Sequence, residues 1–330
     1  MKLNSIFSSN MVFPAHKEIF FYGTGTGNVR ILFDGQVKSI HADGDWNISF
    51  PPHDFGGPFT AVVYLNDEKT VMENIYVGLV FLMSGQSNMQ FKLKESPEKH
   101  YLSNPSVRLF STDRIENTDY FHTSDGWIVC DEKTAGEWSA ISYYTGNKIA
   151  EKNGLAVGMI TSYQGASVIE SWLPKGTLES NGIRIPDESK HPDHFYDIYK
   201  AWNSDGTLYE KALGQVVPFK VSAVVWYQGE SDTSSDETLF YKDELKLLID
   251  IWRKRFDDPS LPFVIIQIAD THEEIGWKTL QKAQYDIQFE VNDVKTVISA
   301  DVCEKDVIHP PTKDKLSQRI AATLCKMLNL

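Results

Sequence analysis

Ser87 lies in a short polar motif, SGQSNM at residues 84–89, that directly follows the apolar run VFLM at residues 80–83. An apolar run that stops at glycine and polar side chains is typical of a buried parallel strand ending at the carboxyl edge of a sheet. Open α/β sheets bind ligands at this edge, where helix N-termini direct their amides into a crevice. Ser87 is therefore a candidate nucleophile, although the motif lacks the second glycine of the Gly-x-Ser-x-Gly elbow and is also compatible with an ordinary turn.

Three further polar motifs stand where an α/β fold would gather them, after predicted strands or before a helix. The YQGAS motif around Gly165 predicts a tight turn with a backbone N–H facing the crevice. The side-chain amide of Gln228 can serve as an oxyanion donor or satisfy the backbone of its own loop. Asp306 stands three residues before His309, so its carboxylate could hold the imidazole against a serine. Each motif taken alone is more simply a loop or turn.

Two regions of different pattern must position these side chains. Residues 1–75 contain short apolar stretches separated by Gly, Asp, Asn and Pro, which predicts a small β-sandwich-like domain. In residues 76–330, apolar strands alternate with helical stretches, which predicts a doubly wound, mostly parallel sheet of the α/β class. The strands are predicted at 77–83, 107–110, 155–161, 221–227, 263–268 and 294–299, and the helices at 208–213, 237–255, 277–290 and 313–327. Residues 179–202 are predicted to form a long loop near the crevice.

The composition is that of an ordinary globular protein, and the charge limits its partners. A formal net charge of −13 and a pI near 5.2 argue against a nucleic-acid or anionic-membrane surface. No apolar run approaches the roughly 18 residues that span a bilayer, and the N-terminal residues have no secretory h-region, so we expect a cytoplasmic protein unless a signal was removed. The three scattered cysteines are expected to be reduced. No metal or other cofactor is predicted, and the histidines at His191 and His194 are interpreted as a loop turn.

Taken together, the motifs resemble those of the SGNH-hydrolase esterases, in the group that contains sialate O-acetylesterases and acetylxylan esterases. The matching segments are SGQSNM at 84–89, ESW at 170–172 after Gly165, WYQGES at 226–231, and Asp306 with His309 and Pro310. The resemblance includes FSSNMV at 7–12 and GGPFT at 56–60, so it covers nearly the whole chain. It implies a flavodoxin-like sheet and a serine carbohydrate O-acetylesterase.

The resemblance also implies roles for individual residues. Ser87 would be the nucleophile, His309 the general base and then acid, and Asp306 the residue that orients the imidazole. Val307 stands where related proteins often carry an acid, which leaves Asp306 as the nearest acid and Asp301 as the fallback. Because His309 must start neutral, activity is expected to fall below about pH 6.5.

The implied oxyanion hole consists of the backbone N–H groups of Ser87 and Gly165 and the side-chain amide of Gln228. Three residues are predicted to contact the substrate: Trp172, Arg184 and Glu230. Arg184 would suit the carboxylate of a sialic acid, whereas Trp172 would stack on a neutral sugar.

The favoured interpretation is a sialate O-acetylesterase acting on an acetylated sugar or oligosaccharide. An acetylxylan esterase is the first alternative, and another acyl hydrolase on the same fold is a second. A non-catalytic glycan-binding module is the alternative from a different class. The sequence does not indicate an oligomeric state.

Overall fold

The computed structural model describes residues 2–97, 101–115, 126–184, 197–233, 236–271 and 275–330. Its N-terminal part is a set of strands, the longest of which form an antiparallel sheet. The strands are β1 (Lys2–Leu3), β2 (Val12–Pro14), β3 (Ile19–Phe33), β4 (Gln36–Phe50), β5 (Gly56–Leu65) and β6 (Glu68–Gly85). β3 pairs with β4 along its whole length and with β5 at its C-terminal end.

β6 joins this antiparallel sheet to the rest of the protein without a linker. Its first half pairs with β5, and residues 79–85 form a central strand of a parallel sheet. The predicted domain boundary at residue 75 therefore falls inside one strand. All described strands belong to one 12-stranded sheet, so the sandwich predicted for residues 1–75 stays a prediction.

The N-terminal strands also share a core with the remainder of the chain. The rings of Phe13 and Phe219 stack with centroids 5.4 Å apart, and the Trp127 ring also packs against Phe219, with centroids 6.3 Å apart. The Lys17 ammonium donates to the backbone oxygen of Val221 at 2.7 Å. The two regions are thus packed against each other through both apolar and polar contacts.

Helices and strands alternate after β6. They are α1 (Ser87–Gln90), β7 (Asn104–Ser111), β8 (Ile128–Cys130), α2 (Ala140–Asn153), β9 (Val157–Tyr163), α3 (Thr177–Ser180), α4 (Asp197–Asn203), α5 (Thr207–Lys211), β10 (Ala223–Tyr227), α6 (Tyr241–Arg255), β11 (Phe263–Ile266), α7 (Ile275–Glu290), β12 (Val294–Val297) and α8 (Asp314–Met327). Short 3₁₀ turns lie between them, among them Ile169–Trp172 and Glu230–Asp232.

The parallel strands lie in the order β9, β6, β10, β11 and β12, with β7 added beside β9 and the antiparallel β8 at that edge. When the strands are numbered along the chain from β6 and β7 and β8 are left out, this is the 2-1-3-4-5 order of flavodoxin-like sheets. β6 is the strand from which the chain winds first one way and then the other. Such a switch point is where ligands of α/β sheets bind.

Helices cover both faces of the parallel sheet, and the side chains of β6 show this because successive residues of a strand point to opposite faces. Val80 and Leu82 belong to the apolar cluster that contains residues of α6 and α7, whereas Phe81 and Met83 belong to the cluster that contains residues of α2 and α8. A strand buried on both faces carries an unbroken apolar run, which is the pattern visible in the sequence. The predicted mixed α/β class is confirmed.

The structure differs from the sequence-based prediction mainly in the lengths of strands and in elements that were not predicted. The short strands predicted at 18–22, 29–33 and 46–50 correspond to parts of the long strands β3 and β4, and the helix α2 and the edge strand β8 were not predicted. The predicted loop at 179–202 contains the end of α3 and all of α4 except Asn203. Its residues 185–196, with His191 and His194, lie outside the described residues. None of the described helices is long and apolar enough to cross a bilayer. The cytoplasmic location stays a prediction.

Gly85 ends β6 in a conformation that only glycine adopts easily, with φ of +139°, and a Cβ there would lie 2.0 Å from the backbone oxygen of Tyr227. We expect Gly85→Ala to lower the free energy of unfolding by about 3 kcal/mol, through strain and displacement of β10. Gly154→Ala is the matched control, since its φ is also positive but nothing lies within 4 Å. It should cost about 1 kcal/mol. Urea denaturation followed by circular dichroism measures both, and equal losses would contradict the clash.

Candidate active site

Ser87 is the first residue of α1, directly beyond the end of β6. The backbone N–H of Gln86 donates to the Tyr227 oxygen of β10 at 2.9 Å, and the N–H of Gln164 donates to the Gly85 oxygen at 3.0 Å. The strands on both sides of β6 thus fix the turn that carries Ser87. The hydroxyl oxygen of Ser87 lies 2.8 Å from Nε2 of His309. This is the contact that a general base needs to take the serine proton.

Asn88 connects the serine turn to the segment that carries His309. Its Nδ2 donates to the backbone oxygen of Ile308 at 2.8 Å and to Oε1 of Glu230 at 2.5 Å. Its Oδ1 accepts a hydrogen bond of 2.6 Å from the Lys313 ammonium. Asn88, Glu230 and Lys313 are all buried. The residue after Ser87 is therefore hydrogen-bonded to the residue before His309.

The environment of His309 favours its neutral form. Although one side of the residue is exposed, burial of the ring lowers its pKa below the ordinary 6.5, and the charge of Lys313 lowers it further. Burial lowers the pKa of Lys313 itself to about 8, and burial raises the pKa of Glu230. A neutral imidazole beside the Ser87 hydroxyl is ready to accept its proton.

Two backbone N–H groups next to Ser87 are available to an oxyanion. In the described part of the chain, neither the N–H of Ser87 nor that of Gly165 donates a hydrogen bond. Gly165 lies against the nucleophile, since a Cβ placed on it would be 3.9 Å from Cβ of Ser87. Both groups stand where the resemblance places oxyanion donors, and their role stays a prediction.

Gln228 is bonded in a way that does not favour its predicted role as the third oxyanion donor. Its Nε2 donates to the Ser167 backbone oxygen at 2.9 Å and to the carboxylate of Asp232, and its Oε1 accepts from the Tyr241 hydroxyl at 3.1 Å. Both amide hydrogens are used, and the side chain is fully buried. Donation to an oxyanion would require one of these bonds to break. In this structure Gln228 joins the Gly165 turn to α6.

The two candidate acids lie near His309 in sequence but do not hydrogen-bond to its ring in the described structure. Asp306 is exposed, has a φ of +59°, and its backbone N–H donates to the Asp270 oxygen at 2.9 Å. The fallback, Asp301, forms a bidentate ion pair with Arg319, in which Nη1 donates to Oδ1 at 2.5 Å and Nη2 donates to Oδ2 at 2.6 Å. The orienting role of Asp306 stays a prediction.

Trp172 cannot stack on a sugar in this structure, so its predicted role is wrong. The side chain is 0% exposed. Its ring packs against Trp226 and Trp252, with centroids 5.5 and 6.1 Å away, and its Nε1 donates to the Ser167 hydroxyl at 3.1 Å. The tryptophan is part of the core under the Gly165 turn.

Arg184 compensates buried carboxylates and is not directed at a substrate. Its Nη2 is paired with Glu170 and its Nε with Glu244 at 2.6 Å, and both glutamate side chains are 0% exposed. Burial still raises the pKa of Glu244 to about 7, against the effect of Arg184. A guanidinium held by two carboxylates is a structural group. Glu230, the third predicted substrate contact, is instead the buried partner of Asn88.

Comparisons with known proteins support the same kind of site as the geometry does. Residues 77–326 match the family described as carbohydrate esterase, sialic acid-specific acetylesterase. The chain belongs to this family. The matched region starts in β6 and ends in α8, so it includes the whole parallel sheet with Ser87 and His309.

Individual relatives of this esterase chain match beyond the family region. The human sialate O-acetylesterase is 26% identical over 93% of the chain and 66% of its own length, and that of Mus musculus is 23% identical over 93% and 69%. The chain thus spans slightly less than two thirds of the human protein. A carbohydrate acetylesterase from Xanthomonas citri has a TM-score of 0.84 at 23% identity, covering 99% of this chain and 74% of that one. That likeness shows a shared fold.

Asn88 and Lys313 are the site residues that the sequence analysis missed. The available signal was their position, one residue after Ser87 and four residues after His309. In the described residues, no group of three or more His, Cys, Asp or Glu side chains is arranged to hold a metal ion.

The lowered pKa of His309 changes the pH dependence of activity expected from the sequence. The base is active when neutral, so a pKa below 6.5 extends activity to more acidic pH. We expect the acid limb of kcat/KM to have its midpoint below pH 6.5, in place of the fall near pH 6.5 expected from the sequence. A midpoint at or above 6.5 would show that burial and Lys313 do not act on the imidazole as described.

Arg184→Met tests whether Arg184 is structural. Removing one partner from a buried ion pair costs about 3–5 kcal/mol, because the remaining charge is left without a partner. We expect a loss of that order in guanidinium denaturation, while Arg319→Met, which breaks an exposed pair, should cost about 1 kcal/mol or less. A stable Arg184→Met protein with only a raised KM would instead indicate a substrate contact.

Proposed function

We propose that this protein is a serine carbohydrate O-acetylesterase with an SGNH-type catalytic domain, and that Ser87 is its nucleophile. The observation that carries the proposal is the 2.8 Å contact between the Ser87 hydroxyl and Nε2 of His309. The contact lies at the switch point of a 2-1-3-4-5 parallel sheet, and the chain belongs to a family of carbohydrate esterases. The strand order supports the SGNH-type fold.

The reaction follows from this geometry. Ser87 Oγ attacks the carbonyl carbon of the acetyl group while His309 Nε2 takes the hydroxyl proton. The negative oxygen accepts hydrogen bonds from the N–H groups of Ser87 and Gly165, each worth roughly 10²–10³ in rate. The bond to the sugar oxygen then breaks, and His309 returns the proton to that oxygen. A water molecule repeats the sequence on the acetyl-enzyme and releases acetate.

The favoured substrate is an O-acetylated sialic acid, because the human and mouse relatives are sialate O-acetylesterases. The side chains of Arg184 and Trp172 do not favour either substrate. Arg184 is paired with two buried glutamates and Trp172 is buried. Acetylated xylo-oligosaccharides are the alternative substrate. Residues other than Arg184 and Trp172 therefore contact the sugar.

Acetate release from 9-O-acetylated sialic acid and from acetylated xylo-oligosaccharides, at equal concentrations, tests both proposals. Ser87→Ala should lose about 10⁶-fold in kcat, or fall to background. Ser84→Ala is the matched control, because Ser84 is a buried serine of the same motif whose hydroxyl makes no hydrogen bond in the described structure.

The comparison of substrates then has three outcomes. Faster hydrolysis of the sialate supports the favoured assignment, and faster hydrolysis of the xylo-oligosaccharides replaces it with a neutral-sugar esterase. If neither substrate releases acetate above the Ser87→Ala blank, the carbohydrate esterase proposal fails.

A further inference from the structure

Lys313 is a buried lysine next to the reacting residues. It lies at the start of α8 and is 1% exposed. Its ammonium lies over the rings of Phe91 and Tyr227, 5.1 and 5.4 Å from their centroids. Among the described residues its one hydrogen bond runs to Oδ1 of Asn88, at 2.6 Å. Burial of an ammonium with so few partners is costly, so its presence beside the site calls for a functional explanation.

The groups that face Lys313 come from three further segments. Glu230 approaches from the 3₁₀ turn after β10, Cys303 and Glu304 from the segment before His309, and Asn88 from α1. The Glu230 carboxylate is bonded by Asn88 at 2.5 Å, and its other oxygen has no partner in the described structure. The amide of Asn88 therefore lies between a cation and a carboxylate.

This placement fixes the orientation of the Asn88 amide. Its oxygen must face the ammonium and its nitrogen must face the carboxylate, because the reversed amide would meet like partners on both sides. The nitrogen then has a second hydrogen, which it donates to the backbone oxygen of Ile308 at 2.8 Å. Since Ile308 directly precedes His309, the Asn88 amide connects Lys313 and Glu230 to the backbone beside the imidazole.

We propose that Lys313 is a positioning residue for the acyl transfer, and that through Asn88 it holds His309 against Ser87. The proposal rests on the proposed esterase function.

The sign of the charge has two chemical consequences. A neighbouring cation disfavours imidazolium, which keeps His309 able to accept the Ser87 proton at lower pH. The imidazolium formed during the reaction is then a stronger acid, which favours return of the proton to the leaving sugar oxygen. A carboxylate partner would have the opposite effect on both steps.

Lys313→Met and Lys313→Gln test the proposal, with Lys315→Met on the exposed face of α8 as the control. Both neutral variants should move the acid limb of kcat/KM to higher pH. Lys313→Met should also lower kcat by about tenfold or more with KM within about twofold, because the misplaced base affects the chemical step. Asn88→Ala should lower kcat without raising the acid limb, since it breaks the link and keeps the charge. Lys315→Met should match the wild type.

An unchanged kcat and acid limb in the folded Lys313 variants would overturn the proposal, whereas absence of acetate release by the wild type would overturn the esterase function itself. If the variants do not fold, ¹³C NMR of the lysine Cε groups in the wild type decides. A resonance titrating near pH 8 identifies a Lys313 that is charged at pH 7. A buried lysine that is already neutral at pH 7 would contradict the proposal.

Discussion

The structure depends on the pairing of β6 along both of its edges. Residues 79–85 pair with β9 on one side, and residues 81–85 pair with β10 on the other. The first half of the same strand pairs with β5 of the antiparallel sheet, so the N-terminal strands are connected to the centre of the parallel sheet by one continuous strand. Gly85 is the point where these constraints meet, because only glycine fits against Tyr227 there. The position of Ser87 is therefore set by backbone hydrogen bonds before any side chain acts on it.

His309 reaches the same point by a different route. It lies 222 residues after Ser87, on an exposed segment outside any helix or strand. Its position depends on buried polar groups: the Asn88 amide, oriented between Lys313 and Glu230, bonds to the residue before the histidine. In a protein with a net charge of −13, the charge that acts on the base is a buried lysine. The strand end fixes the turn that carries Ser87, and the buried polar cluster contacts the segment that carries His309.

Residue types and spacing were sufficient to predict the α/β class and the six parallel strands to within a few residues. The family resemblance indicated Ser87 and His309, which the structure places 2.8 Å apart. An apolar run followed by a polar motif indicates where a buried strand ends. Parallel strands end at the edge of the sheet where ligands bind, so the motif also indicates the site. The errors concern burial. Trp172 and Arg184 have side chains that suit sugars and carboxylates, yet the sequence does not show that one is enclosed by tryptophans and the other by glutamates. The bond between Asn88 and Lys313 joins residues 225 positions apart, and no local pattern reports such a pair.

The central claim is that His309 makes Ser87 nucleophilic, and covalent labelling by a fluorophosphonate tests it most directly. Reaction at neutral pH, digestion and mass spectrometry identify the labelled residue without any assumption about the sugar. We expect a single adduct on Ser87 that forms with the wild type and is lost in His309→Ala, because the serine hydroxyl needs the base to react. An adduct that forms equally fast in His309→Ala, or labelling at another serine, would contradict this account. A wild-type protein that takes no label would favour a glycan-binding module that lacks catalytic activity.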